Sequence, residues 1–227
     1  MRISLLIALS ATIAAASGDL EKARDAQDRA ALEQSLKALA DAVARQQNDA
    51  AAQYKVAVAE SYLAEVAIEQ KDKNAARSYA ESGIRAGEAA VRLKSDNSDY
   101  HRVLGTLCGQ AIAGGNVLIG LKYGKCALDE VNKAIQLDPK NPLGYLSRGV
   151  GNYYLPAQFG GGTDKAIDDF QKTISMDPKI AEAHLWLGVA LRKANRNAEA
   201  RKAFEKSLQL NPNRIWAKQQ LEKTPVH

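Results

Sequence analysis

Apolar residues recur along this chain at steps of three and four, the spacing that gathers them on one face of a helix. The period is clearest over 181–214. There Leu185, Gly188 and Leu191 are followed by Ala200, Ala203, Phe204, Leu208 and Leu210. Ala194-Asn195-Arg196-Asn197 leaves room for a tight turn between the two runs, and Pro212 stops the second. The same reading predicts a helix over 29–46 on Leu32, Leu36, Leu39, Ala40 and Val43. It leaves open whether 19–27 is a short helix of its own or an extension. Farther on, Tyr54, Val58, Tyr62, Val66 and Ile68 mark one helix, and Tyr79, Ile84, Ala86, Ala90, Val91 and Leu93 another. Gln70-Lys71-Asp72-Lys73-Asn74 is the turn between them.

Three stretches share one order of residues. At 181–214 it reads His184-x2-Leu187-Gly188-x2-Leu191, Ala200-x3-Phe204, then Pro212. At 98–140 it reads His101-x2-Leu104-Gly105-x2-Cys108, Ala127-x3-Val131, then Pro139. At 141–180 Tyr145, Gly149 and Tyr153 precede Ala166-x3-Phe170 and Pro178, with Arg148 where Leu is usual and Asn152 where Tyr is usual. This order resembles the tetratricopeptide repeat, whose signature is W-x2-L-G-x2-Y, A-x3-F and P over 34 residues. The resemblance implies an all-α fold, a right-handed superhelix of stacked antiparallel helix pairs. It divides the chain into an N-terminal segment 1–16, divergent helices over 17–97, repeats at 98–140, 141–180 and 181–214, and a capping helix over 215–227. The first two of those repeats are stretched between their halves. One holds ten extra residues around Gly114-Gly115, the other five in Leu155 to Thr163. Pro156 is expected to end one helix and the Thr163 hydroxyl to cap the next.

Composition agrees with closely packed helices: 46% of residues are hydrophobic but only 6% aromatic, fewer than a β-sandwich uses. Lys and Arg number 31 against 26 acidic residues, giving +5. The charges are interleaved rather than gathered, which argues against nucleic acid as a partner. The segment 1–16 stands apart. A basic Met1-Arg2 precedes an apolar run from Ile3 to Ala16 that ends in Ala14-x-Ala16, the plan of a secretory signal. The run is short of the ~20 residues a bilayer span needs. An uncleaved anchor, which would be the chain's one contact with a membrane, and a buried helix are the alternatives. Export to the periplasm or beyond gives Cys108 and Cys126 two possible states, a disulfide or two buried thiols.

Candidate chemistry is sparse. His101 and His184 hold equivalent positions in two repeats, where the signature places a large aromatic, so they read as packing residues. No metal-binding spacing appears, and Gly160-Gly161-Gly162-Thr163 lacks the order of a phosphate loop. No catalytic set and no cofactor is implied, so the chain reads as a non-enzyme. The resemblance instead implies a concave groove that takes a protein or peptide segment. Carried over, that groove presents Asp99, Arg102 and Thr106, then Leu146, Val150, Tyr153 and Tyr154, then Leu185, Val189 and Arg192. The Lys, Asn and Arg clamp of the chaperone-binding members is not reproduced. The tyrosines favour an apolar or aromatic segment, unless they pack against the neighbouring repeat. Phe159 is expected to fold back over its hairpin, the alternative being an exposed aromatic that touches a partner. A second reading is a carrier of a small apolar ligand, enclosed between Gly114 to Gly124 and the loop at Phe159.

Overall fold

The computed structural model describes residues 19–113 and 117–226. The secretory pattern at 1–16, the Gly114-Gly115 turn and His227 lie outside them. The described residues form helices and no strands. A short helix α1 spans 19–25 and is separate from α2 at Arg29–Arg45. Gln27, with φ of 53°, breaks them apart. There follow α3 (Ala50–Glu69), α4 (Lys73–Leu93), α5 (Ser98–Ala113), α6 (Val117–Leu137), α7 (Pro142–Tyr154), α8 (Thr163–Met176), α9 (Ala181–Lys193), α10 (Asn197–Leu210) and α11 (Ile215–Glu222). Starts follow local chemistry. Asp28, Asp49, Asp72 and Asn141 each accept backbone N–H groups of the first turn, groups the helix itself leaves unpaired.

Consecutive helices pack as antiparallel pairs, α3 with α4, α5 with α6, α7 with α8 and α9 with α10, and each pair stacks on the next. The signature residues explain the fit. A methyl group on Gly149 would lie 2.6 Å from the Phe170 ring, and one on Gly188 2.6 Å from Phe204. Glycine lets the first helix of these two pairs settle onto the aromatic of the second, and at Gly105 the facing residue is Val131. The position before each Leu-Gly works differently. The His101 and His184 Nε2 atoms donate to the carbonyls of Ser95 and Pro178 at 2.9 and 3.0 Å, and the Tyr145 hydroxyl donates to that of Pro139 at 3.2 Å. In each case the acceptor lies six residues upstream, so a ring at this position ties down the turn that joins two repeats. Both histidines are buried.

The turns themselves are closed by Asp138, Asp177 and Asn211, whose side chains accept the N–H two residues on, beyond the intervening proline. Of the two states open to the cysteines, the structure holds the bonded one. Cys108 on α5 and Cys126 on α6 are joined with their Cα atoms 6.0 Å apart. Two details of the 155–163 loop depart from expectation. Gly162, at φ of 115°, is the residue that caps α8, and Thr163 is already helical and makes no capping bond. Phe159 does not cover its hairpin but stands 68% exposed, at the end of a single 3-10 turn (Ala157–Phe159).

Candidate functional site on the inner face

The residues expected to line the groove divide into three groups. Leu185 and Val189 are buried, in a cluster with Phe170, Ala200, Phe204 and Ala217. They are core, because α7 on one side and α11 on the other bring Leu146, Val150, Trp216 and Leu221 onto the same cluster. Arg192 is engaged as well. Its guanidinium donates to the Gln220 carbonyl at 3.1 Å, to Gln220 Oε1 at 2.5 Å and to Thr224 Oγ1 at 3.3 Å, so it fastens the tail to α9. Arg102 is held at 2.9 Å by Asp99, and Thr106 bonds Ser147 at 3.2 Å across two repeats. Leu146 and Val150 are half-buried. Tyr153 is half-buried beneath Lys193, whose Nζ lies 4.2 Å from its ring centroid. Tyr154 is 49% exposed.

Tyr154 belongs to an aromatic group that the expected lining omitted. Trp186 of α9 lies 5.9 Å from Tyr153 and 6.2 Å from Tyr154, edge to face, and 5.1 Å from Trp216 of α11. Such pairings add to burial because the edge of one ring is electropositive and the face of the next electronegative. Trp186 adjoins Leu185 in sequence, and one step along a helix turns a side chain by about 100°. That step separates a core position from an inner-face one. Burial raises the Tyr154 hydroxyl above its ordinary pKa, with the Tyr153 ring and the carboxylates of Glu65 and Glu69 adding to it.

Those carboxylates introduce the second feature of the inner face. Arg214, just before α11, is 1% exposed. Its guanidinium donates to Glu182 at 2.7 Å, to Glu65 at 2.7 Å and to Glu69, with Asp25 at 3.7 Å. Arg24 joins from α1, 2.7 Å from Asp25 and 3.5 Å from Glu182. Asn211 donates to Asp25 at 2.7 Å and Gln219 to Gln27 at 3.2 Å. Elements from the two ends of the chain therefore meet in one buried network, in which four acids surround two arginines. Desolvation dominates and lifts Glu65 to about 7 and Glu69 above its ordinary range, against the pull of Arg214. Sequence reasoning passed over Arg214 because no local pattern marks a charge whose hydrogen-bond partners lie from 32 to 149 residues away.

The inner face therefore carries an aromatic surface centred on Tyr154 and Trp186, bordered by the Arg214 network, which stacks on it through Trp216 at 5.6 Å. Two shallow hollows among the described residues lie away from Gly120 to Gly124 and Phe159. One of about 170 Å³ is lined by Ile68, Lys71, Lys73, Ala76 and Ala113, and the other by residues of α8, α9 and α10.

A stack of helix pairs built on this signature defines a tetratricopeptide-repeat protein, and a tetratricopeptide repeat family model matches residues 157–215. The family model for regulator of microtubule dynamics protein 1-3 matches residues 19–155, more than half of the chain, and the chain belongs to that family. It is similar to regulator of microtubule dynamics protein 3 of Bos taurus, 25% identical over 176 residues, which cover 70% of this chain and 36% of that protein. It is also similar to small glutamine-rich tetratricopeptide repeat-containing protein 2 of Mycosarcoma maydis, 32% identical over 104 residues, 46% of this chain and 28% of that one. The chain thus spans about a third of the length of these curated relatives. Among solved structures, a thermophilic tetratricopeptide protein of Thermus thermophilus superposes with a TM-score of 0.62 at 19% identity, over 85% of this chain and 92% of that one. That match concerns the fold. The fold is one of protein–protein interaction scaffolds, a class that generally works without catalysis.

Proposed function

We propose that this chain is a non-catalytic scaffold of the cell envelope that takes an extended protein or peptide segment on its inner face, at Tyr154 and Trp186. The observation that carries the reading is Tyr154. It is a large aromatic side chain left 49% exposed on an inner face whose neighbouring positions are otherwise buried or tied. Tyrosine and tryptophan supply contact area at small cost in side-chain entropy, and they dominate binding hot spots. A partner side chain laid on Tyr154 meets Trp186 behind it, so an apolar or aromatic residue suits the surface.

Two sequence features support the envelope. Residues 1–16 follow the plan of a secretory signal, and the bonded Cys108–Cys126 pair suits an oxidising compartment. N-terminal sequencing of the protein recovered from its cells tests this, with cleavage near Ala16 expected and an intact Met1 the contrary result. Binding is tested by selecting from a displayed peptide library and repeating the selection with Tyr154→Ala. Enriched peptides are expected to bind the wild-type chain and to lose at least tenfold in affinity on the variant, with unchanged helical circular dichroism. Equal binding to both moves the site elsewhere.

A further inference from the structure

We propose that α1 is an intramolecular occupant of the inner face, a latch that a partner's helical segment of matching chemistry displaces. The first helices of the pairs line the inner face. α1 meets two of them, α3 and α9, although α5 and α7 stand between these in the stack. On α3, the Arg24 guanidinium lies 5.0 Å from the Tyr62 ring centroid, and Leu20 and Ala23 are buried in a cluster with Ala59, Leu63 and Val66. On α9, Arg24 reaches Glu182 at 3.5 Å. Asp25 accepts from Asn211, ahead of α11, at 2.7 Å. A seven-residue helix with these contacts lies across the concave side of the array.

The contact has the form of a bound helix. Leu20, Ala23 and Arg24, at i, i+3 and i+4, turn inward, while Asp19, Glu21, Lys22 and Ala26 are exposed. That is the one-sided pattern by which an amphipathic helix lies in a groove. The positive φ of Gln27 makes α1 a unit of its own rather than the first turns of α2. A helix this short does not persist alone in water, so docking is what orders it. Its apolar anchor is small, Leu20 and Ala23, and the remaining contacts are polar.

α1 is also an imperfect occupant. The surface it covers presents Glu65, Glu69 and Glu182 around Arg214, three acids to one cation. α1 brings Arg24 to this surface but brings Asp25 with it. Glu182 Oε2 is buried and accepts no hydrogen bond among the described residues. A buried acceptor left unpaired is costly, and an occupant with one more donor removes that cost. The competitor is thereby defined: a helical segment carrying an apolar residue, an arginine four positions on, and a further donor toward Glu182.

The test uses α1 itself as the probe. A fluorescein-labelled peptide of residues 19–28 is titrated into the wild-type full chain and into a full chain whose latch is weakened by Leu20→Asp with Arg24→Glu. Fluorescence polarisation is expected to rise saturably with the weakened chain. The wild type is expected to bind roughly tenfold or more weakly, because its own α1 competes. Peptides carrying Leu20→Asp or Arg24→Ala are expected to lose the binding. Hydrogen exchange on the wild type needs no variant to fold: amides of α1 are expected to exchange ahead of those of α3 and α9. Equal binding to both chains overturns the proposal, and so does binding by neither when the weakened chain keeps its helical circular dichroism. Exchange of α1 only together with α3 and α9 overturns it as well. Neither probe nor readout involves Tyr154 or Trp186, so failure here leaves the peptide-binding reading standing.

Discussion

Several residues that look like flaws in the repeat signature are partners of one another. Arg148 and Asn152 replace the usual Leu and Tyr, and both grip Asp169 on α8. Arg148 donates at 2.6 and 3.0 Å and Asn152 at 2.9 Å. Asp169 is 5% exposed, so its charge requires such neighbours. The departures were visible in the sequence; the shared partner, on another helix, was not. Glycine tests the opposite case, where the signature was legible and its reason was steric. Gly188→Ala places a methyl group against Phe204 and is expected to cost ~1–3 kcal/mol in urea unfolding, as overpacked cores do. The same change at Gly151, where nothing lies within 4 Å, is expected to be neutral or mildly stabilising.

At the scale of the element, the helices and their order were readable because each carries its own periodicity and its own stop. The caps at Asp49 and Asp72 came only with the structure, since the sequence reading placed Asp72 within a turn and gave neither residue a capping role. What sequence could not place was the inner face. Leu185, Val189 and Arg192 hold groove positions by the signature, yet α11 and the tail draw them into the core or tie them. Trp186, one residue along, faces Tyr154 instead. The α5–α6 hairpin yields a prediction at this scale. Its disulfide closes a loop with a sequence separation of 18, and Cys108→Ser with Cys126→Ser is expected to cost about 3 kcal/mol in urea unfolding. Hydrogen exchange should rise first in α5 and α6, the two helices that the bond joins.

Across the whole molecule, the Arg214 network joins the two ends of the array, and its titration should be readable in stability. A carboxyl whose folded pKa is raised binds its proton more tightly in the native state, so its contribution is full below the unfolded value and fades as pH rises through the folded one. Glu65, lifted to about 7, therefore lowers stability progressively between about pH 4.5 and 7, and Glu69 acts in the same direction. Glu182, whose pKa is lowered, opposes them in the acid range. Glu65→Gln is expected to flatten the decline between pH 5 and 7, seen as a smaller change in urea midpoint. Arg214→Met leaves Glu65 and Glu69 without their bonded cation and is expected to cost ~3–5 kcal/mol at pH 8, and less at pH 5 where protonation relieves them.

The network also holds α11, whose Trp216 lies 5.1 Å from Trp186 beside the surface proposed for a partner. Trp186 and Trp216 are the chain's two tryptophans, so intrinsic fluorescence reports on that surface directly. The most direct test is a fluorescence titration of the wild-type chain and Tyr154→Ala with a peptide drawn from the library selection. A saturable change in tryptophan emission with the wild type, weakened at least tenfold by Tyr154→Ala at unchanged melting temperature, is the predicted result. Saturable binding that leaves both tryptophans silent and ignores Tyr154 would contradict the assignment.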